Sequence, residues 1–104
     1  MRITPDDALQ QLSAAQKEFL NLFTHGTLSV EIYKPDRVDK QQPHDRDEVY
    51  VVLSGTGQFF NDGLTTDFGP GDFLFVKAGK EHRFLNFTED FATWVIFYGP
   101  VGGE

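Results

Sequence analysis

QQPHDRDEVYVVLSG, residues 41 to 55, decides how this chain is read. It places polar and ionisable side chains directly before a β-branched run. In an extended chain, residues of one parity share a face, so Gln42, His44 and Glu48 fall on the same side as Tyr50 and Val52. One face would then carry an amide, an imidazole and a carboxylate before it turns apolar. A loop or bulge between His44 and Glu48 would break that parity.

Turn signals divide the remainder at intervals of about 8 to 12 residues, a spacing typical of sandwiches and barrels. They are Gly55-Thr56-Gly57, Asn61-Asp62-Gly63, Gly69-Pro70-Gly71 and Ala78-Gly79-Lys80. YVVL, QFF, FLFV and HRFLNF lie between or beside them, and FATWVIFY (91–98) closes the series. Upstream, FLNLF (19–23) reads as a strand, with His25-Gly26 as a turn. In TLSVEIY, Leu28, Val30 and Ile32 share one face while Ser29 and Glu31 share the other, the pattern of a half-buried strand. Thr4-Pro5-Asp6-Asp7 reads as a helix start: Thr4 caps, Pro5 suits the first helical position and the aspartates face the positive end of the dipole. The expectation is one domain over 1–104, with a short helix at about 5–13, a β barrel at about 17–99 and a loose C-terminal tail.

Composition narrows the function classes. The chain has 104 residues, enough for one ordinary domain, and 11 Phe to fill its core. It has no cysteine, which removes disulfides, thiolate metal sites and thiol nucleophiles. Its net charge of −7 argues against a nucleic-acid partner. The N-terminal MRITPDDALQQL lacks the apolar core of a signal peptide and no apolar run approaches a membrane span, so a cytoplasmic location is expected. No G-x-S-x-G occurs, and Gly55-Thr56-Gly57 lacks the rest of a dinucleotide fingerprint.

A second polar cluster lies in GDFLFVKAGKEHRFLN (71–86). His82 follows the Gly79 turn and opens a strand shared with Phe84. If this strand faces the first across one barrel, His44, Glu48 and His82 converge. Two imidazoles and one carboxylate hold Fe(II) or a similar divalent ion with positions left open. Gln42 would be a fourth oxygen ligand or would stay outside the ligand set. Other readings stay open at this point: Glu48 could pair with Arg46, Arg83 or Lys80 at the surface, and His82 could be a satisfied histidine at a strand start.

These two stretches resemble the motifs of the cupins, small double-stranded β-helix (jelly-roll) proteins. The first cupin motif is G, five residues, H-x-H, three or four residues, E, six residues, G. His44, Glu48 and Gly55 match it, while Asp36 stands at the first Gly and Gln42 at the first His. The second is G, five residues, P-x-G, two residues, H, three residues, N. Gly71, Gly79, His82 and Asn86 match it, and Lys77 replaces the Pro. Residues 56–70 separate the motifs, a short gap like that of small microbial cupins.

The resemblance implies an all-β jelly-roll barrel with one short N-terminal α-helix, and a divalent metal (Fe, Mn, Ni or Zn) held by Gln42, His44, Glu48 and His82. It implies a metal-dependent dioxygenase acting on a small organic molecule, or alternatively a non-catalytic module that binds or senses one. Homodimers are common in the family. Tyr50, Phe84 and Trp94 are the candidates for the substrate pocket, although large aromatics in a small barrel are more often core. No catalytic acid or base separate from the metal ligands is evident.

Overall fold

The computed structural model describes residues 1–104. The N-terminal helix α1 spans Pro5–Ala15. Its Thr4 side chain accepts a hydrogen bond from the Asp7 amide at 3.1 Å, and Asp6 and Asp7 fill the first turn. Gln16 ends the helix in a left-handed conformation, with its amide bonded back to the Ser13 carbonyl. No helix is long and apolar enough to cross a membrane.

Eight strands follow: β1 (Phe19–His25), β2 (Leu28–Tyr33), β3 (Asp47–Ser54), β4 (Gly57–Asn61), β5 (Leu64–Phe68), β6 (Phe73–Val76), β7 (His82–Leu85) and β8 (Ala92–Tyr98). They form a five-stranded sheet in the order β1-β2-β8-β3-β6 and a three-stranded sheet in the order β5-β4-β7. All pairings are antiparallel. This is a jelly roll whose hydrogen bonding leaves two facing sheets rather than a closed cylinder. Strand β5, LTTDF, was not among the expected strands. It lies at a sheet edge with only Phe68 buried, so its sequence carries no apolar alternation.

The main core lies between the sheets and includes Tyr33, Tyr50, Val52, Phe59, Phe68, Val76, Phe84, Phe91 and Val95. A smaller cluster of Ala8, Leu12 and Ile32, backed by Leu20, Leu53 and Trp94, seals α1 onto the outside of the larger sheet. The helix thus covers part of the outer face of that sheet, around Ile32 and Trp94. The apolar stripe of β2 looks outward, where Ile32 meets the helix, and Glu31 and Tyr33 look inward.

Gly55 ties the end of β3 to the start of β8. Its φ is +85°, and a Cβ there would lie 2.5 Å from the Phe91 Cα, so only glycine fits. The C-terminal tail is docked, contrary to its expected looseness. The Glu104 amide donates to Asp47 Oδ2 at 2.9 Å, and the Gly102 amide donates to the Asp45 carbonyl at 2.6 Å.

Candidate metal centre

Strand register builds the site. Glu48 stands on β3 opposite Phe97 of β8 and Val76 of β6, which turns its side chain toward the interior. His82 begins β7 in the other sheet, opposite Asn61. His44 comes from the irregular segment before β3. Its carbonyl accepts a hydrogen bond from the Gly79 amide at 2.6 Å, which fastens the His44 loop to the turn that precedes His82. Gly79 takes φ +81°, a conformation that disfavours a side chain. The two polar clusters of the sequence are thus joined through backbone as well as through side chains.

Donor atoms of His44, Glu48 and His82 all lie within 4.8 Å of one another, close enough to hold one metal ion. His82 Nε2 is 3.2 Å from Glu48 Oε1, and His44 Nε2 is 4.0 Å from Glu48 Oε2. The side chains of Glu48 and His82 are 1% and 0% exposed, while that of His44 is 36% exposed and forms the open side. Glu48 forms no ion pair with Arg46, Arg83 or Lys80; its close partners are the two imidazoles.

The chemistry of the contact is specific. His82 Nδ1 lies 2.9 Å from the Lys80 carbonyl oxygen, which can only accept, so Nδ1 carries the hydrogen. In the neutral ring, Nε2 then presents a lone pair to a carboxylate oxygen. Glu48 Oε1, Glu48 Oε2 and His82 Nε2 are all buried without a hydrogen-bond partner. Two buried acceptors facing each other at 3.2 Å require a proton or a cation between them. Burial by itself lowers the His82 pKa. Glu48, the Lys80 carbonyl and the Asp39 charge together outweigh that and raise it above its ordinary value.

Beside this group lies a network centred on Asp39, which is only 1% exposed. Its Oδ1 accepts from the Tyr33 hydroxyl at 2.7 Å and the Gln41 amide at 3.0 Å; its Oδ2 accepts from Gln41 Nε2 at 2.7 Å and the Phe84 amide at 2.9 Å. Gln41 Oε1 accepts from the Tyr50 hydroxyl at 2.8 Å and lies 3.3 Å from His44 Nε2. The inward amide is therefore Gln41. Gln42, the residue aligned with the family's first His, is exposed. Residues 39–44 form no strand, so parity does not govern which side chains point inward.

A cavity of about 240 Å³ opens onto the group. Phe19, Tyr33, Val95 and Phe97 form its apolar walls, and Glu31, Gln41, His44 and Glu48 its polar lining. Burial, and secondarily the charge of Glu48, raises the Glu31 pKa. Of the residues expected in the pocket, Tyr50 and Phe84 sit deeper, in the core, with their rings 4.9 Å apart. Tyr50 reaches the site only through its hydroxyl, whose pKa burial pushes well up, with Glu48 adding to the shift. Trp94 lies on the opposite face, packed toward α1. Sequence reading missed Phe19, Glu31, Asp39, Gln41 and Phe97. For Glu31 and Phe97 the signal was available: each alternates with residues that face the helix side.

The family model for the cupin domain matches residues 29–98. An uncharacterized protein of Streptomyces coelicolor is 32% identical over 97 residues, covering 91% of this chain and 92% of that protein. An acireductone dioxygenase of Rhodopseudomonas palustris is 39% identical over 66 residues, covering 51% of this chain and 40% of the enzyme. Among solved structures, a cupin 2 conserved barrel domain protein of Rhodopseudomonas palustris superposes with a TM-score of 0.68 at 16% identity, covering 80% of this chain and 61% of that one. That last similarity concerns the fold alone.

Proposed function

We propose, from the premise that this chain belongs to the cupin family, that His44, Glu48 and His82 bind one divalent metal ion and that the protein acts with it as a dioxygenase on a small organic molecule. The observation that carries the reading is the buried, unpartnered contact between His82 Nε2 and the Glu48 carboxylate. These donors suit Fe, Mn, Ni or Zn, and three protein ligands leave positions open. When bound, such an ion supplies Lewis acidity and, for iron, redox capacity.

The chain's own residues then have distinct tasks. The Lys80 carbonyl holds the His82 ring through Nδ1 and keeps Nε2 aimed at Glu48. Phe19, Tyr33, Val95 and Phe97 form the apolar wall that takes the apolar part of a ligand. A space of about 240 Å³ suits a compact molecule, below the usual size of drug-binding pockets. Glu31, with its raised pKa, retains a proton on its carboxyl to higher pH than an exposed glutamate does. The partial likeness to an acireductone dioxygenase supports oxygen chemistry on a small molecule, over the part of that enzyme that this chain matches.

A second reading is a cupin that binds a small molecule without converting it. It draws on Gln42, which stands where the family motif has its first His. Oxygen uptake by iron-reconstituted protein, screened against small ketones, enols and carboxylic acids, separates the two. Substrate-dependent uptake that disappears in His82→Ala supports the dioxygenase. Calorimetric binding of one of these molecules with no uptake refutes the dioxygenase and supports the binding module.

A further inference from the structure

We propose that Gln41 is a fourth ligand for the metal ion and binds it through the side-chain carbonyl oxygen. This inference rests on the metal-binding reading of His44, Glu48 and His82. The orientation of the amide follows from its neighbours. Gln41 Nε2 lies 2.7 Å from Asp39 Oδ2, an oxygen that also accepts from the Phe84 amide, so the NH₂ group faces Asp39. Flipping the amide would set its oxygen against that carboxylate oxygen, two acceptors with no proton between them. Oε1 therefore points the other way, toward Tyr50 and the imidazole of His44.

An amide oxygen offers two lone pairs, and the Tyr50 hydroxyl uses one of them. The distance from Gln41 Oε1 to His44 Nε2 is 3.3 Å. Two donors that each lie about 2.1 Å from one ion at a right angle are about 3 Å apart. The two atoms are thus spaced as neighbours around a shared cation. The same gap also suits a hydrogen bond from a protonated Nε2, a proton that metal binding would displace. Asp39, buried and bonded to both the backbone and side chain of Gln41, holds the amide in this position in advance.

The resulting set is two imidazole nitrogens, one carboxylate oxygen and one amide oxygen. Replacing an imidazole with an amide oxygen moves preference toward oxygen-tolerant ions such as Mn(II) and away from softer ones. Mn(II) is therefore the probe. Its binding is followed by electron paramagnetic resonance of the free ion, and the waters on the bound ion by proton relaxation. Wild type, Gln41→Ala, Gln41→Leu and Gln42→Ala are compared, with melting curves to establish that each is folded. Loss of a residue that only orients a ligand weakens metal binding by about 10–100-fold. Both Gln41 variants are expected to lose at least tenfold in Mn(II) affinity, roughly the lower end of that range, and to gain relaxivity per bound ion as water replaces the amide. Gln42→Ala should match wild type in both respects. Wild-type relaxivity per bound ion in the folded Gln41 variants, whether or not affinity falls, would assign Gln41 to bridging Asp39 and Tyr50 and overturn the inference. Failure of wild type itself to bind Mn(II), Fe(II), Ni(II) or Zn(II) would instead overturn the underlying metal reading, and this inference with it.

Discussion

Asp39→Ala removes the acceptor shared by four donors, and its effect can be worked from their burial. The Tyr33 hydroxyl and the Phe84 amide belong to residues that are 7% and 1% exposed, and neither has another partner in place of Asp39. The two Gln41 donors are at a half-buried residue and can turn to water. A buried polar group left unsatisfied costs about 1–3 kcal/mol, so two of them give about 2–6 kcal/mol. That is a large share of the roughly 5–15 kcal/mol that stabilises a typical domain. Asp39→Asn keeps one acceptor oxygen and should lose about half as much. The assay is urea unfolding of metal-free protein, so that no ion contributes to stability. A loss below about 1 kcal/mol for Asp39→Ala with an unchanged denaturant slope would refute the network as a structural hub.

Three further outcomes follow from other parts of the molecule. Amides of Glu104 and Ala78 hold the Asp47 carboxyl below its ordinary pKa, so the unfolded chain binds its proton first on acidification. This stabilisation is present above the ordinary carboxyl pKa and is lost as pH falls through the lower folded value; urea unfolding between pH 5 and 2.5 should show a smaller decline in Asp47→Asn. His82 has the opposite sign: with its pKa raised, the metal-free protein keeps this contribution below the unfolded value of about 6.5 and loses it as pH rises through the folded one, a dependence that His82→Gln should abolish. Gly55→Ala combines a left-handed backbone with a Cβ 2.5 Å from the Phe91 Cα and should destabilise by about 2–5 kcal/mol in urea unfolding; a change under about 1 kcal/mol would contradict the close approach of β3 to β8.

The fold and half of the site could be read from the residues because they depend on short-range rules. Alternation identifies β2, turn signals bracket β3 and β8, and motif spacing singles out His44, Glu48 and His82. Alternation says which residues share a face and is silent on which face turns inward. For β2 the apolar set of Leu28, Val30 and Ile32 faces outward, where Ile32 meets α1, while Glu31 meets the cavity. Trp94, expected in the pocket as a large aromatic, packs on the helix side instead. Gln41 was missed in favour of Gln42 because parity was applied to a loop. In that loop Asp39, 45 residues from the Phe84 amide it accepts, determines which side chain turns in. The tail could not be read because its order comes from Asp47, 57 residues away from the Glu104 amide.

Binding of one divalent ion by His44, Glu48 and His82 underlies the proposed function. It is tested most directly by equilibrium dialysis of wild type, Glu48→Gln and His82→Ala against Mn(II) and Fe(II), followed by elemental analysis of the folded protein. About one ion per chain is expected in wild type and at least a tenfold weaker uptake in both variants, roughly the lower end of losses seen when a metal site is impaired. No uptake by wild type, or undiminished uptake by both variants, would contradict it.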